Sequence, residues 1–492
     1  MNDATAIDRV PTGISGFDLL ALGGLPAGRC TLVTGSTGSG KTLFALEFLA
    51  RGISRFDQPG VYVTFEETPA DLRRNASALG FPIERWESEG KWLFVDASAE
   101  LAGETTTVGV YNFAAIVARI ESAVRQIGAT RVSMDSIGAI FSRFPDVATV
   151  RYELHRIAGA LEGLGITSLL TAERTEEYNG VSRMGVEEFV LNNVIVLRNV
   201  LQNERRRRTV EIVKLRGAAH RTGEWLFTID SREGIVVIPL AFLAPRERAS
   251  VERVSSGNAG LDAICGGGFF KDAVVLLTGP TGTGKTLTSL KFADEAYRAG
   301  ESCLLYTFDE NRDQLTRNAA GWGLDLPAME ASGLLHVNAE YPEMASLEVH
   351  FLNIRRALQE IRPARLVIDT LSALERITTQ RALLDFIIAL GTLLRQYQVT
   401  SLLTSSPHRR TTTKIDPALA IEIGSLADVT IMLRYVESEG RIQRAIAVLQ
   451  TRGSAHDDAI RRVDIDADGM HIGDPLSIVS PVHESFVPPD QQ

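Results

Sequence analysis

Two short stretches of this 492-residue chain carry the residue types that hold the phosphates of a nucleotide. GSTGSGKT at 35–42 and GPTGTGKT at 279–286 each read glycine, four residues, then Gly-Lys-Thr, and each lies between a β-branched run and a helical period. Glycines at this spacing let successive backbone N–H groups turn toward phosphate oxygens, and the following helix presents the positive end of its dipole. The expected ATP contacts are therefore Thr37, Gly38, Ser39, Gly40, Lys41 and Thr42 in the first loop. In the second they are Thr281, Gly282, Thr283, Gly284, Lys285 and Thr286. The lysines reach the outer phosphates, and the hydroxyls of Thr42 and Thr286 serve Mg2+.

Acids follow at positions that could complete phosphoryl chemistry. Asp135 (ATRVSMDS) and Asp369 (PARLVIDT) each close an apolar strand, where a carboxylate can support Mg2+ opposite the loop. Glu66 and Glu67 (VTFEETP), and Asp309 and Glu310 (YTFDENR), follow an earlier strand in each half. A carboxylate there can orient or deprotonate the oxygen that attacks the γ-phosphate. Adjacent acids after a strand could equally cap the next helix. KLRG at 214–217 and QTRG at 450–453 end β-hairpin patterns late in each half. Phosphoryl transfer often takes a further cation from a neighbouring subunit. Lys214, Arg216 and His220, with Arg452 and His456, are read as ATP contacts across a ring interface, the alternative being ordinary surface charge. Gln450 stands where the first half has Lys214.

The elements that must position these residues come in two copies. SGFDLLALGGLPAGRCTLVTGSTGSGKT is answered by AGLDAICGGGFFKDAVVLLTGPTGTGKT, with Asp18 and Asp262, like Lys41 and Lys285, 244 positions apart. Asp135 and Asp369 follow at 234, and KLRG and QTRG at 236. Each copy is one large domain, 1–247 and 248–492, with the polar stretch PRERASVER as the joint. Strands (CTLVTG, VYVTF, RVSMD) alternate with helices (KTLFALEFLARGIS, FAAIVARIESAVRQ). This predicts an α/β fold of two tandem RecA-like domains, each a mostly parallel twisted sheet covered by helices on both faces. Ligands of such sheets gather at the carboxyl ends of the strands.

Composition narrows the class. A formal charge of -10 weighs against a surface built to hold nucleic acid. The basic run Arg205–Arg208 reads as a solvated hairpin, a subunit interface or, least, a nucleic-acid contact. Three scattered cysteines give neither a disulfide framework nor a zinc site. The sequence shows no basic-then-apolar leader and no apolar run near the roughly 20 residues of a membrane span, so a cytoplasmic protein is expected.

From about residue 12 to 474 the sequence resembles the circadian clock ATPase family KaiC, through GGLPAGRCTLVTGSTGSGKTLF, GVYVTFEETPADLRRNA, the run from TAERTEEYNG to VEIVKLRG, and VSSGNAGLDAICGGGFFKD. The resemblance implies a two-tiered homohexamer with ATP between subunits, a slow ATPase in the N-terminal ring, and autokinase and autophosphatase activity in the C-terminal ring. It puts the catalytic pairs on Glu66 and Glu67 and on Asp309 and Glu310, nucleotide contacts on Lys214, Arg216 and His220, and an interface arginine on Arg376. The family's tandem phosphorylation site falls on Gly424 and Ser425, leaving Ser425 as the one phosphorylation candidate. Family resemblance also implies a KaiB-like partner, with Glu104–Asn112 in the docking region. The tail from about 475 is short, which argues against KaiA binding. The expected function is a KaiC-like double-ring ATPase signalling through partner proteins. The rivals are a DNA motor or recombinase of the RecA superfamily and a nucleotide-gated scaffold with negligible turnover.

Overall fold

The computed structural model describes residues 7–97, 113–138, 147–174, 177–178, 190–202, 205–238, 250–406, 424, 426–438, 441–476 and 480–481. The chain divides into two compact units, Met1–Pro239 and Leu240–Gln492.

The first unit is built on nine strands: Cys30–Gly35 (β1), Gly60–Thr64 (β2), Trp92–Asp96 (β3), Arg131–Asp135 (β4), Thr167–Glu173 (β5), Asn193–Gln202 (β6), Arg205–Leu215 (β7), Glu224–Asp230 (β8) and Gly234–Val237 (β9). Their order across the sheet is β9-β8-β7-β6-β1-β5-β4-β2-β3. The strands from β6 to β3 in that order run parallel, and β7, β8 and β9 continue the sheet antiparallel. β1 and β4 are buried from end to end, so apolar residues stand on both of their faces, with buried Thr31, Thr34, Arg131 and Ser133 among them. Successive β1 residues serve opposite faces. Leu32 joins the core beneath the helices Phe113–Ile127 and Val147–Gly163, whereas Val33 joins the core beneath Lys41–Phe56 with Phe17, Phe44 and Phe48.

The second unit repeats this order strand for strand. Its strands are Val274–Thr278 (β10), Cys303–Thr307 (β11), Leu335–Ala339 (β12), Arg365–Asp369 (β13), Thr400–Ser405 (β14), Val429–Ser438 (β15), Arg441–Thr451 (β16), Arg461–Asp466 (β17) and Gly469–Pro475 (β18), arranged β12-β11-β13-β14-β10-β15-β16-β17-β18. A short further strand, Ser480–Pro481 (β19), pairs with β15. Both units are thus mostly parallel α/β domains of the expected RecA-like kind. All three cysteines are buried and unpaired, with thiols pushed up to about 12 by burial.

One internal contact secures the helix Lys41–Phe56 to the far edge of the first sheet. Glu47 is fully buried; its Oε1 accepts the Ile235 N–H at 2.6 Å and its Oε2 the Arg51 Nε–H at 3.4 Å. Arg51 also donates to the Glu233 carbonyl at 2.6 Å. Gly234, at φ 71°, leaves room for the carboxylate, since a Cβ there would stand 2.1 Å from Oε1. Burial pushes the Glu47 carboxyl up to about 7, against the opposing pull of the Ile235 N–H and Arg51.

Candidate nucleotide-binding sites

Each phosphate loop leads from the carboxyl end of a central strand into a helix, β1 into Lys41–Phe56 and β10 into Lys285–Arg298. The N-cap residues are Gly40 (φ 98°) and Gly284 (φ 108°). Having no side chains, they leave the first backbone N–H groups of the helix turned outward for an anion. Gly40 is also hemmed in, as a Cβ would lie 3.3 Å from Ile229 Cδ1.

Both loop lysines are about nine-tenths buried and folded back onto their loops. Lys41 Nζ donates to the Gly35 and Ser36 carbonyls at 2.9 and 3.0 Å, and Lys285 Nζ to those of Gly279 and Pro280 at 2.7 and 2.9 Å. Burial lowers the pKa of each; Glu173, then Asp135 and Glu66, oppose this at Lys41, and Asp369 and Asp309 at Lys285. A phosphate oxygen would replace these carbonyls as the acceptor.

The strand-end aspartates face the loops from β4 and β13. Asp135 accepts from Tyr62 Oη at 2.9 Å and from Thr171 Oγ1, and Asp369 accepts from Thr404 Oγ1 at 2.5 Å. Hydroxyls donating to these oxygens hold the two carboxylates in place at the strand ends. At Asp369, burial raises the pKa, and hydrogen bonds from Thr404 and Thr286 with the charge of Lys285 pull it back. Thr42 with Asp135, and Thr286 with Asp369, therefore suit Mg2+ carried in on phosphate. Among the described residues, no cluster of His, Cys, Asp or Glu suits a metal ion held by protein alone.

The paired acids follow the neighbouring strands β2 and β11, held alike in the two units. The Thr64 and Thr307 hydroxyls donate to the Glu67 and Glu310 carbonyls at 2.5 and 3.5 Å. Asn75 and Asn318 donate to the Glu67 and Glu310 carboxylates at 3.2 and 3.1 Å. Loss of water raises the carboxyl pKa of Glu66, Glu67 and Glu310, reinforced by Glu173 at Glu66, by Asp135 at Glu67 and by Asp369 at Glu310. In the second unit Asp309 is already engaged: Arg376 donates to it at 3.1 Å and to Glu343 at 2.9 Å. The expected interface arginine thus pairs within its own chain.

The cations of the hairpin ends lie elsewhere. β7 runs antiparallel to β6, so Leu215 pairs with Asn193, which pairs with Thr31 at the start of β1. Lys214 Nζ donates to the Leu191 carbonyl, ahead of β6, and the Arg216 N–H donates to Asn193 Oδ1. His220 follows in the same connection, before β8. In the second unit Thr451 pairs with Val429, the Arg452 N–H donates to the Asp428 carbonyl, and His456 follows. Lys214, Arg216 and Arg452 therefore sit at the amino ends of the parallel strands, opposite their own phosphate loops, with His220 and His456 following them in the chain. Within the run Arg205–Arg208, Arg208 Nε donates to the Gly38 carbonyl at 3.2 Å, as Arg444 does to Gly282 at 3.0 Å. Ser425, Glu104–Asn112 and the chain beyond 481 lie outside the described residues.

Two further acids stand at the first loop. Glu173 closes β5 and pairs in register with Gly35, and Glu177 accepts from Ser36 Oγ at 2.5 Å. The Glu173 signal was the one that marked Asp135, a carboxylate closing an apolar run (TSLLTAE).

Known proteins resemble this chain in sequence across both units. The family model for the ATPase KaiC matches residues 10–241 and 254–477, one match in each unit. The circadian clock protein KaiC3 of Synechocystis sp. is 48% identical over 479 residues, covering 97% of this chain and 94% of its own. The circadian clock oscillator protein KaiC of Rippkaea orientalis is 45% identical over 476 residues, 96% of this chain and 90% of its own. KaiC 1 of Synechocystis sp. is 45% identical over 471 residues, 95% of this chain and 89% of its own. With two phosphate loops, two strand-end aspartates and a match across both units, the chain belongs to the KaiC family of ATPases.

Proposed function

We propose that this protein is a cytoplasmic, ring-forming ATPase in which every nucleotide site is completed by a neighbouring subunit, and that it signals through partner proteins. The observation that carries this reading is the polarity of the strands. Lys41, Asp135, Glu66 and Glu67 gather at the carboxyl ends, whereas Arg216 stands level with Thr31. Four residues of strand, about 13 Å, separate Thr31 from Gly35. A subunit cannot bring its own Arg216 to its own loop, but a head-to-tail neighbour can.

In the first site the loop amides and Lys41 bind the β- and γ-phosphates. Thr42 and Asp135 would hold Mg2+, which when bound neutralises charge on the phosphate oxygens. Glu66 and Glu67 orient the attacking water, and Lys214, Arg216 and His220 of the neighbour stabilise negative charge on the nucleotide. In the second site Asp309 is one methylene shorter than Glu66 and already tied to Arg376, so hydrolysis resides mainly in the first unit. The second presents its nucleotide to Ser425 as a slow, single-site autokinase. Support for the ring, for a homohexamer and for a KaiB-like partner comes from the family; the relatives named as clock proteins support a signalling role.

Mixing two inactive proteins tests the shared site. K41A and R216A should each lose first-site phosphate release, and the mixture should regain it. A neighbour's intact Arg216 then meets an intact Lys41 in some sites. A mixture no more active than its components refutes the reading.

A further inference from the structure

The carboxyl ends of the parallel strands form a row, and its order decides what can meet a γ-phosphate. From the loop outward the ends are Gly35 on β1, Glu173 on β5, Asp135 on β4, and Thr64 on β2 with Glu66 two residues beyond. Neighbouring strands are about 4.8 Å apart, which places Glu173 one strand from the phosphate loop and Asp135 two. The backbone there is fixed: Glu173 pairs with Gly35, and the Arg174 N–H donates to the Gly35 carbonyl at 3.1 Å. A Cβ on Gly138 would stand 4.0 Å from Glu173 Cγ, so the side chain lies beside the turn that follows Asp135. Glu173 is exposed at the mouth of the site. Its charge is the strongest acting on both Lys41 and Glu66, ahead of Asp135 in each case.

The second unit differs at this point. Thr34 pairs with Ala172 and Thr278 with Ser405, so Ser406 takes the place of Glu173. The Ser406 N–H donates to Ser372 Oγ at 2.7 Å, and that hydroxyl donates to the Ser406 carbonyl at 3.0 Å. The position carries no charge.

We propose that Glu173 is a catalytic residue of the first site, accepting one hydrogen bond from the attacking water while Glu66 accepts the other. A water held at both hydrogens has a lone pair left for the γ-phosphorus, and two fixed acceptors restrict its approach more than one can. In the step, the water oxygen bonds to the γ-phosphorus and the bond to the β–γ bridging oxygen breaks, its electron pair leaving with ADP. The proton of the water passes to Glu66 and then to solvent. Lys41, between the loop and the acids, carries the compensating positive charge. Glu173 against Ser406 thus separates a hydrolytic site from one that retains its γ-phosphate longer.

The proposal rests on the first site hydrolysing ATP, and the test separates the two. In the full chain, E173Q should lower kcat at least tenfold with KM and ATP binding unchanged, and E173S, which copies the second unit, should lower it further. ATP-induced thermal stabilisation verifies that each variant folds and binds; E173S reads the same step if E173Q does not fold. Mixed with R216A, E173Q should regain activity. Mixed with K41A it should not, because both lesions lie on the same side of the interface. E173Q turnover within twofold of the unsubstituted protein, or rescue by K41A, overturns the assignment of Glu173. No gain from K41A with R216A overturns only the shared site.

Discussion

Replacing Glu47 by glutamine should make the first unit more stable above neutral pH and leave it nearly unchanged in acid. The carboxyl is fully buried against the Ile235 N–H and Arg51, and burial raises it from an ordinary 4.5 to about 7. A folded state that holds its proton more tightly than the unfolded chain gains stability at low pH. That gain is complete below the unfolded value near 4.5 and is lost progressively as pH rises to about 7. The interval corresponds to about 3 kcal/mol, of which roughly 2.5 falls between pH 5 and pH 8. Glutamine cannot ionise, and its carbonyl keeps the bond from Ile235. Arg51 keeps the Glu233 carbonyl. E47Q should therefore exceed the unsubstituted protein by about 3 kcal/mol at pH 8, seen as a rise of roughly 6–12 °C for a unit of this size. Calorimetric unfolding of both proteins from pH 5 to pH 9, taken as a difference, removes every group they share. A difference that stays flat with pH, or a variant less stable throughout, would refute the reasoning.

Two further outcomes concern the chemistry. The double variant E66Q/E67Q should lose most steady-state phosphate release, measured with Lys285 intact; survival of more than half would move the working site to the second unit. Incubation with ATP followed by phosphopeptide mass spectrometry should find phosphate on Ser425 alone, and none in K285A, whereas an unmodified Ser425 under all nucleotide conditions would reduce the second unit to a binding platform.

The phosphate loops, the duplication and the strand-end aspartates were legible in the sequence because each is local: a spacing, a repeat, an acid closing an apolar run. Glu173 carries the same local mark as Asp135, but its importance depends on strand order, which no local pattern encodes. Only the crossover that sets β5 between β1 and β4 places it beside the loop. Glu47 was invisible for another reason. A glutamate within FALEFLARG reads as the solvent side of a helix, and its burial depends on a glycine nearly 190 residues later that leaves space for it. The hairpin cations were identifiable as charges, but their distance from their own loop follows from the antiparallel return of β7 and β16.

That return has an arithmetical consequence for assembly. On the shared-site reading, each subunit has a donor face at one strand edge and an acceptor face at the other, so a two-fold dimer, which joins like faces, completes no site. An open chain of n subunits completes n − 1 sites and leaves one loop without a cation at its end. Only closure brings the count to n. Turnover per subunit then counts the joints made: opening a ring should remove only one site in n, dissociation on dilution should lower turnover further as each joint is lost, and subunits trapped as symmetric pairs should be silent at both units.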